Sequence, residues 1–483
     1  MNASTEEPAA PHRRWWALGF VLAGNLAVFT AVTMMNVALP AAQAELGLSD
    51  SGRGWVVTIY SLCFGASMLL GGRIADLIGL RTAMVAGMIG FAAASLLGGL
   101  AGDQGVLLAA RAAQGASGAL VAATALALMS VMFTGGADRA RAFAVFGTVM
   151  GAGTAVSFAV AGAFVDALTW RWCLLINIPV AVVVVAGLLR TAPARREARG
   201  GRIDLPGAAL VTAAMALLVI GLNRAPEAGW SDPSIPVLLV AAAGLLIAFA
   251  VGLRRSKHPL VPPRVLADGR RAAAYLAVLT VGIGAFAAMY ILTIFQQEVL
   301  GFSALVTGLG FVPFGVSALL TSGLVSRWSD RVRPGVLMAV GLAAVAAAIG
   351  SFALTGSDTG YFTGILPVMV LVGAGATVVM VVGSDQATRS AGSDSGVASA
   401  MVNSSQQLGA AIGTALLTSI LTAAARGRVE AGDGELEASL HGYGVAGVVG
   451  AGVLLALATL VLVMSRTVDP ASDADEALVQ GRA

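Results

Sequence analysis

Long apolar stretches alternate with short charged segments along the whole chain. A helix that crosses hydrocarbon needs about 20 apolar residues. Runs near that length predict helices at 16–38, 54–75, 82–101, 105–133, 141–165, 172–190, 205–223 and 234–254. Six more are predicted at 272–296, 304–326, 334–355, 361–383, 396–424 and 442–465. That makes fourteen spans, an even number, which puts both termini on one side.

Charge tests the count, because cytoplasmic loops collect arginine and lysine. With the N-terminus inside, 23 of the 29 basic residues fall on the inner side. Only Arg53, Arg171, Arg224, Arg426 and Arg428 fall outside, and Arg111 lies within a span. A miscount by one helix would scramble this asymmetry. The seven tryptophans also sit at predicted helix ends, the interfacial position such side chains favour.

Composition agrees. Of 483 residues, 57% are hydrophobic and 11% charged, against about 25% charged in soluble domains. The lipid bilayer is the expected solvent. No basic face stands apart from the membrane-flanking loops, so nucleic acid is not an expected partner. Lys257 is the only lysine among the basic residues, a bias that suggests a GC-rich bacterial genome and hence a bacterial cell membrane. Cys63 and Cys173 lie inside apolar runs and read as small buried hydrophobes, not as a disulfide or metal site.

The chain divides into an all-α layout of two six-helix halves with two helices inserted between them. The expected parts are a cytoplasmic tail (1–14), a first bundle (15–190), basic linkers with the inserted helices (191–271), a second bundle (272–465) and a disordered cytoplasmic tail (466–483). An internal echo supports this: Arg73-Ile-Ala-Asp76 is matched by Arg327-Trp-Ser-Asp330, each after the second helix of its half. Such repeats mark transporter folds whose halves rock about a central site.

Enzymatic chemistry finds no footing. The single lysine follows Ser256, so there is no P-loop, and the Gly-x-Gly pairs lack the third glycine of a dinucleotide fingerprint. His12, His258 and His441 lie outside the spans, which leaves no Ser-His-Asp site in the bilayer. No cofactor or metal is expected.

Charge inside a membrane is costly and points to function. Arg111 sits on the fourth span with Gln114 and Ser117 at i+3 and i+6; the alternative is an arginine that snorkels to the headgroups. Asn36, Gln297, Asn403, Gln406 and Gln407 are the polar groups that can bind an uncharged or zwitterionic substrate, or glue helices together. Glu298 and Asp166 are the acids nearest the spans on the outer side, where they can instead be solvated boundary residues. The inner-face cluster Gly72, Arg73, Asp76, Gly79 and Arg81 forms a tight charged hairpin. Asp76 and Arg81 are expected to pair with Arg141 and Asp138 as a gate, repeated by Arg327 and Asp330. Gly147 with Gly151, and Gly409 with Gly413, are spaced for close helix packing.

The spacing Gly-x-x-x-Asp-x-x-Gly-x-Arg over 72–81 resembles the loop between the second and third helices of major facilitator superfamily transporters. Arg111 to Ala119 is similar to that superfamily's fourth-helix motif, whose arginine is implicated in proton relay. Thr33 to Pro40, Trp170-Arg-Trp172, Asn177-Ile-Pro179, Phe295 to Gly301 and Gly396 to Gly409 resemble the 14-helix drug:proton antiporters (EmrB/QacA type). Two positions depart from that pattern: Ala31 stands where the subgroup carries an acid, and Ser157-Phe158 where it has Gly-Pro.

The resemblance implies a major facilitator fold and a monomer that exports a moderately hydrophobic small molecule in exchange for protons by alternating access. Ala31 argues against a strongly cationic substrate. Two alternatives stand beside this: a proton-independent facilitator or importer of neutral or anionic solutes, and a degenerate carrier acting as a membrane sensor or scaffold.

Overall fold

The computed structural model describes residues 11–133, 136–192, 204–229, 232–256, 268–329, 331–356, 359–389 and 395–467. Helices make up almost all of them, with no strand among the described residues. In hydrocarbon each backbone N–H and C=O must find a partner within the chain, and a helix supplies it locally.

The first half runs α1 (Pro11–Leu46), α2 (Asp50–Ile78), α3 (Leu80–Gly99), α4 (Gln104–Met132), α5 (Gly136–Ala167) and α6 (Trp172–Thr191, broken at Ile176). Two further helices follow, α7 (Leu205–Ala228) and α8 (Ser234–Arg255). The second half holds α9 (Gly269–Ile294, continued by a π turn Phe295–Val299) and α10 (Ala304–Gly310 and Val312–Ser329). It ends with α11 (Pro334–Gly350), α12 (Tyr361–Thr388), α13 (Ser395–Glu430) and α14 (Glu435–Thr467).

Eleven helices among the described residues are long and apolar enough to cross a membrane. The exact count of fourteen is not confirmed by that criterion; α2, α5 and α7 are the three helices not among the eleven. Among the described residues, shorter apolar stretches cover Val156–Ala167 of α5 and Pro206–Leu222 of α7. Helix ends also run past the apolar runs that predict them. α1 continues through Pro40 to Leu46, and α14 starts at Glu435. Polar residues there extend the helix beyond the hydrocarbon, so the apolar count marks the span and not the whole helix.

Within the first half, α4 packs on α2 and α3, and α1 on α5 and α6; within the second, α9 packs on α12 and α13, and α11 on α12 and α14. The halves meet along two seams, α2 on α13 and α5 on α10. α7 lies against both α2 and α13, and α8 packs on α7. α8 is mostly at the periphery: 11% of its most apolar window is buried.

Close approach depends on glycine at a few points. A Cβ at Gly409 or Gly413 would collide with the Leu279 and Ile283 carbonyls of α9, so these two positions let α13 and α9 touch backbone to backbone. Gly79 has φ +89°, a conformation costly for other residues, and turns the chain from α2 into α3. Gly72 differs from expectation. A Cβ there would meet nothing within 4 Å, whereas Gly71 one position earlier faces Leu120 Cα at 3.2 Å on α4. One residue of helix turns a side chain by about 100°, and the contact follows the face, not the motif.

Candidate functional site

Arg111 is fully buried in the first half. Its Nε donates to the Val56 carbonyl at 3.2 Å and its Nη1 to Gln114 Oε1 at 2.5 Å. Gln114 Nε2 donates to Ser95 Oγ at 2.7 Å, and Ser95 Oγ in turn to the Phe91 carbonyl at 2.7 Å. The guanidinium carbon lies 4.2 Å from the centre of the Tyr60 ring, whose hydroxyl donates to Val28 O at 2.7 Å. One cation therefore ties α4 to α2 and, through Gln114 and Tyr60, to α3 and α1. The snorkelling alternative does not hold, because the side chain points into the bundle. Gln114 joins it as the i+3 spacing implies. Ser117 does not: its hydroxyl would meet a Cβ placed on Gly90 of α3.

A buried guanidinium keeps its charge, so desolvation must be offset by contacts. The aromatic face contributes up to about 2 kcal/mol when desolvated. Arg111 Nη2 has no hydrogen-bond partner, which leaves both of its N–H donors in the fixed fork unused.

The remaining polar candidates are spread along the interface between halves. Asn36 is buried on α1 with Oδ1 unpartnered. Pro40 lacks the N–H that would close a helical bond to the Asn36 carbonyl, so α1 is locally loosened there. One residue on, the Val37 carbonyl accepts from Gln297 Nε2 of the second half at 3.1 Å. Gln296, Gln297 and Glu298 occupy the π turn that ends α9, a local distortion common at functional sites. On α13, Asn403 Nδ2 donates back to Ser399 O at 3.1 Å, Gln406 is half-buried, and Gln407 is buried with Oε1 unpartnered.

The two acids expected on the outer side do more than meet solvent. Glu298 forms an ion pair with Arg53, which joins the end of α9 to the start of α2. Asp166 at the end of α5 accepts from the backbone N–H of Ala304 at 3.2 Å and Leu305 at 3.1 Å, so it caps α10 from the opposite half. Below it, Phe158 stacks on Phe311 with ring centres 4.2 Å apart. Sequence reasoning saw Ser157-Phe158 only as a lost Gly-Pro. The signal available was an aromatic facing the glycine-rich start of α10.

The face expected to lie inside is arranged differently from expectation. Asp138 pairs with Arg14, not with Arg81. Arg141 lies over the Trp15 ring at 5.6 Å. Arg81 donates to the Leu189 carbonyl at 2.6 Å and the Ala192 carbonyl at 3.3 Å, capping the end of α6. Arg13 likewise donates to Arg190 O at 2.5 Å. These contacts all stay inside the first half. The N-terminal arginines are nearer than the neighbouring loop, and open carbonyls at a helix end attract cations as an acid does. Arg73 is half-buried. The side chains of Asp76 and Arg327, residue Asp330 and the surroundings of Gly147 and Gly151 lie outside the described residues.

Comparison with known proteins matches this geometry to a class. The Major Facilitator Superfamily sequence model matches residues 21–414. The chain belongs to the major facilitator superfamily and is a multi-span membrane transporter, not an enzyme. It is 40% identical to the puromycin resistance protein pur8 of Streptomyces alboniger, over 94% of this chain and 92% of that one. It is 35% identical to the cephamycin export protein CmcT of Amycolatopsis lactamdurans, over 84% of each. Among solved structures it resembles an auto-inhibited POT family peptide transporter, with a TM-score of 0.67, 16% identity and coverage of 94% and 97% of the two chains. At that identity the likeness concerns the fold alone.

Proposed function

We propose that this transporter exports a moderately hydrophobic small molecule of the antibiotic or secondary-metabolite kind, by alternating access, from the cytoplasm of a bacterial cell. The observation that carries the reading is the asymmetry of ionic contacts. Arg53–Glu298 and Asp166 on the α10 N-terminus join the two halves at the outer face, whereas the inner contacts of Arg14, Arg81 and Arg141 stay within one half. Among the described residues, a bundle whose outer pairs cross between the halves while Arg14, Arg81 and Arg141 bond within one half is arranged to take its load from the cytoplasm. The resistance and export proteins it resembles support the same direction.

In this reading the first half spans 15–190 and the second 272–465, with fourteen spans, both termini cytoplasmic and a monomer as the working unit. Asp76 and Arg73, with Arg327 and Asp330, serve the inner gate when the molecule faces outward. Arg111, Gln114, Asn36, Gln297, Asn403, Gln406 and Gln407 belong to the substrate and proton route. The test is accumulation of puromycin in inverted vesicles from cells making the protein. Energised uptake above vesicles lacking it supports export; equal uptake removes puromycin as a substrate and weakens the reading.

A second reading, a proton-independent facilitator, is favoured by one observation. Among the described residues the partners of Arg111 are a carbonyl, an amide and a ring, and none is a carboxylate that could exchange a proton with it. Counterflow in proteoliposomes with and without a pH gradient separates the two: dependence on the gradient supports antiport.

A further inference from the structure

The seam between α2 and α13 is polar and unpaired. Thr58, Ser61 and Gly65 follow one another at i, i+3 and i+7 on α2; Ser404, Gln407, Ala411 and Thr414 do so at i, i+3, i+7 and i+10 on α13. Each set is one face of a helix. A Cβ at Gly65 would meet Gln407 Cβ at 3.3 Å and Leu408 Cγ at 3.1 Å, and Leu62 shares a buried cluster with Ala411; the two points together run antiparallel and bring Thr58 toward the level of Thr414. Thr58, Ser61, Ser404, Gln407 and Thr414 are all at most 3% exposed. The hydroxyls and the Gln407 carbonyl oxygen have no hydrogen-bond partner.

A permanent helix contact would not be built this way. An unpartnered polar group costs about 1–3 kcal/mol, and apolar residues of similar shape would avoid that cost. Helix glue requires the bonds to be made, and here they are not. The arrangement makes sense if the seam has a second state in which these groups are satisfied. α7 covers the seam from the side. Its Val219 forms a small buried cluster with Leu62 of α2 and Ala411 of α13, and its Leu222 carbonyl accepts from Ser419 Oγ at 2.5 Å.

We propose that the facing stripes of α2 and α13 are a substrate-binding surface of the outward-open state, where Thr58, Ser61, Gln407 and Thr414 hydrogen-bond an uncharged ligand bearing hydroxyl, amide or carbonyl groups. α7 keeps lipid out of the cleft as it parts, which gives the inserted pair a role. The proposal rests on the alternating-access reading above. It explains why the seam carries small hydroxyls and one amide but no charge.

The test uses the full chain in cells with Cys63→Ala and Cys173→Ala. Ser61→Cys, and separately Thr414→Cys, are labelled from outside with a membrane-impermeant maleimide, with and without Glu298→Ala to loosen the outer ion pair. Leu100→Cys on the outer loop is the positive control. Labelling of Ser61→Cys that is about two- to fivefold faster with Glu298→Ala supports the proposal. Unchanged labelling there, while Leu100→Cys reacts, overturns it. No substrate is needed, so this result stands apart from failure of the export reading, which the puromycin flux reports. In a second arm, Gln407→Leu is expected to raise Tm and cut puromycin transport several-fold; unaltered transport also overturns the proposal.

Discussion

Arg53 and Glu298, 245 positions apart, form an ion pair that joins the two halves of the transporter at the end of the bundle where α1 turns into α2. Arg53 Nη1 also donates to Gln43 Oε1 at 2.8 Å, so the cation is held by α1 as well as by α9. Breaking an exposed pair of this kind costs at most about 1 kcal/mol, or about fivefold in a two-state balance. Glu298→Gln is expected to move the population toward the outward-open form by up to that factor. Arg53→Glu with Glu298→Arg is expected to restore it. Accessibility of an outer-cleft cysteine measures both.

Asp166 acts on the same face by a different means. It offers carboxylate oxygens to the open N–H groups at the start of α10. Asp166→Ala is expected to cost about 1 kcal/mol of stability in the outward-closed form, as loss of an N-cap does. Asp166→Asn, which still accepts, is expected to cost less. Thermal melting of the purified protein orders the three.

Arg111 tests the interior. Lysine keeps the charge but loses the planar fork that reaches Val56 O and Gln114 together. Arg111→Lys is expected to reduce transport at least tenfold while the protein still inserts and folds, and Arg111→Met to do the same. Vesicle flux beside melting temperature separates loss of function from loss of fold.

Close packing gives a prediction without electrostatics. Gly413→Val places a branched side chain against the Ile283 backbone, where nothing can yield. Overpacking of this kind costs about 1–3 kcal/mol or more. The variant is expected to reach the membrane at much lower yield, which immunoblotting of membrane fractions reads directly.

Asp76 carries the inner-gate proposal. Asp76→Asn is expected to slow transport and change the inward/outward balance. If both stay at the wild-type value, the gate assignment is wrong.

How much of this was legible in the chain depends on the kind of interaction. Helix positions followed from hydrophobic length and arginine asymmetry, since a bilayer admits few other solutions. Arg111 with Gln114 was legible because both lie on one helix at i, i+3. The contacts between halves were not. Nothing local in Asp166 announces that its partners are the amides of Ala304 and Leu305, 138 and 139 positions away. The motif glycine at 72 misled by one position because close approach follows helix rotation, and Arg81 misled because carbonyls at a helix end compete with Asp138 for it. Phe158 appeared only as a departure from a pattern, yet its ring stacks on Phe311 of the other half with ring centres 4.2 Å apart.

The most direct measurement is transport with the outer face held shut. With Arg53→Cys and Glu298→Cys in the cysteine-free background, a short bifunctional maleimide joins the halves where they meet. Puromycin uptake into inverted vesicles is predicted to proceed before cross-linking and to stop after it, while substrate binding from the cytoplasmic side remains. Undiminished uptake by the fully cross-linked protein would contradict alternating access through this outer closure.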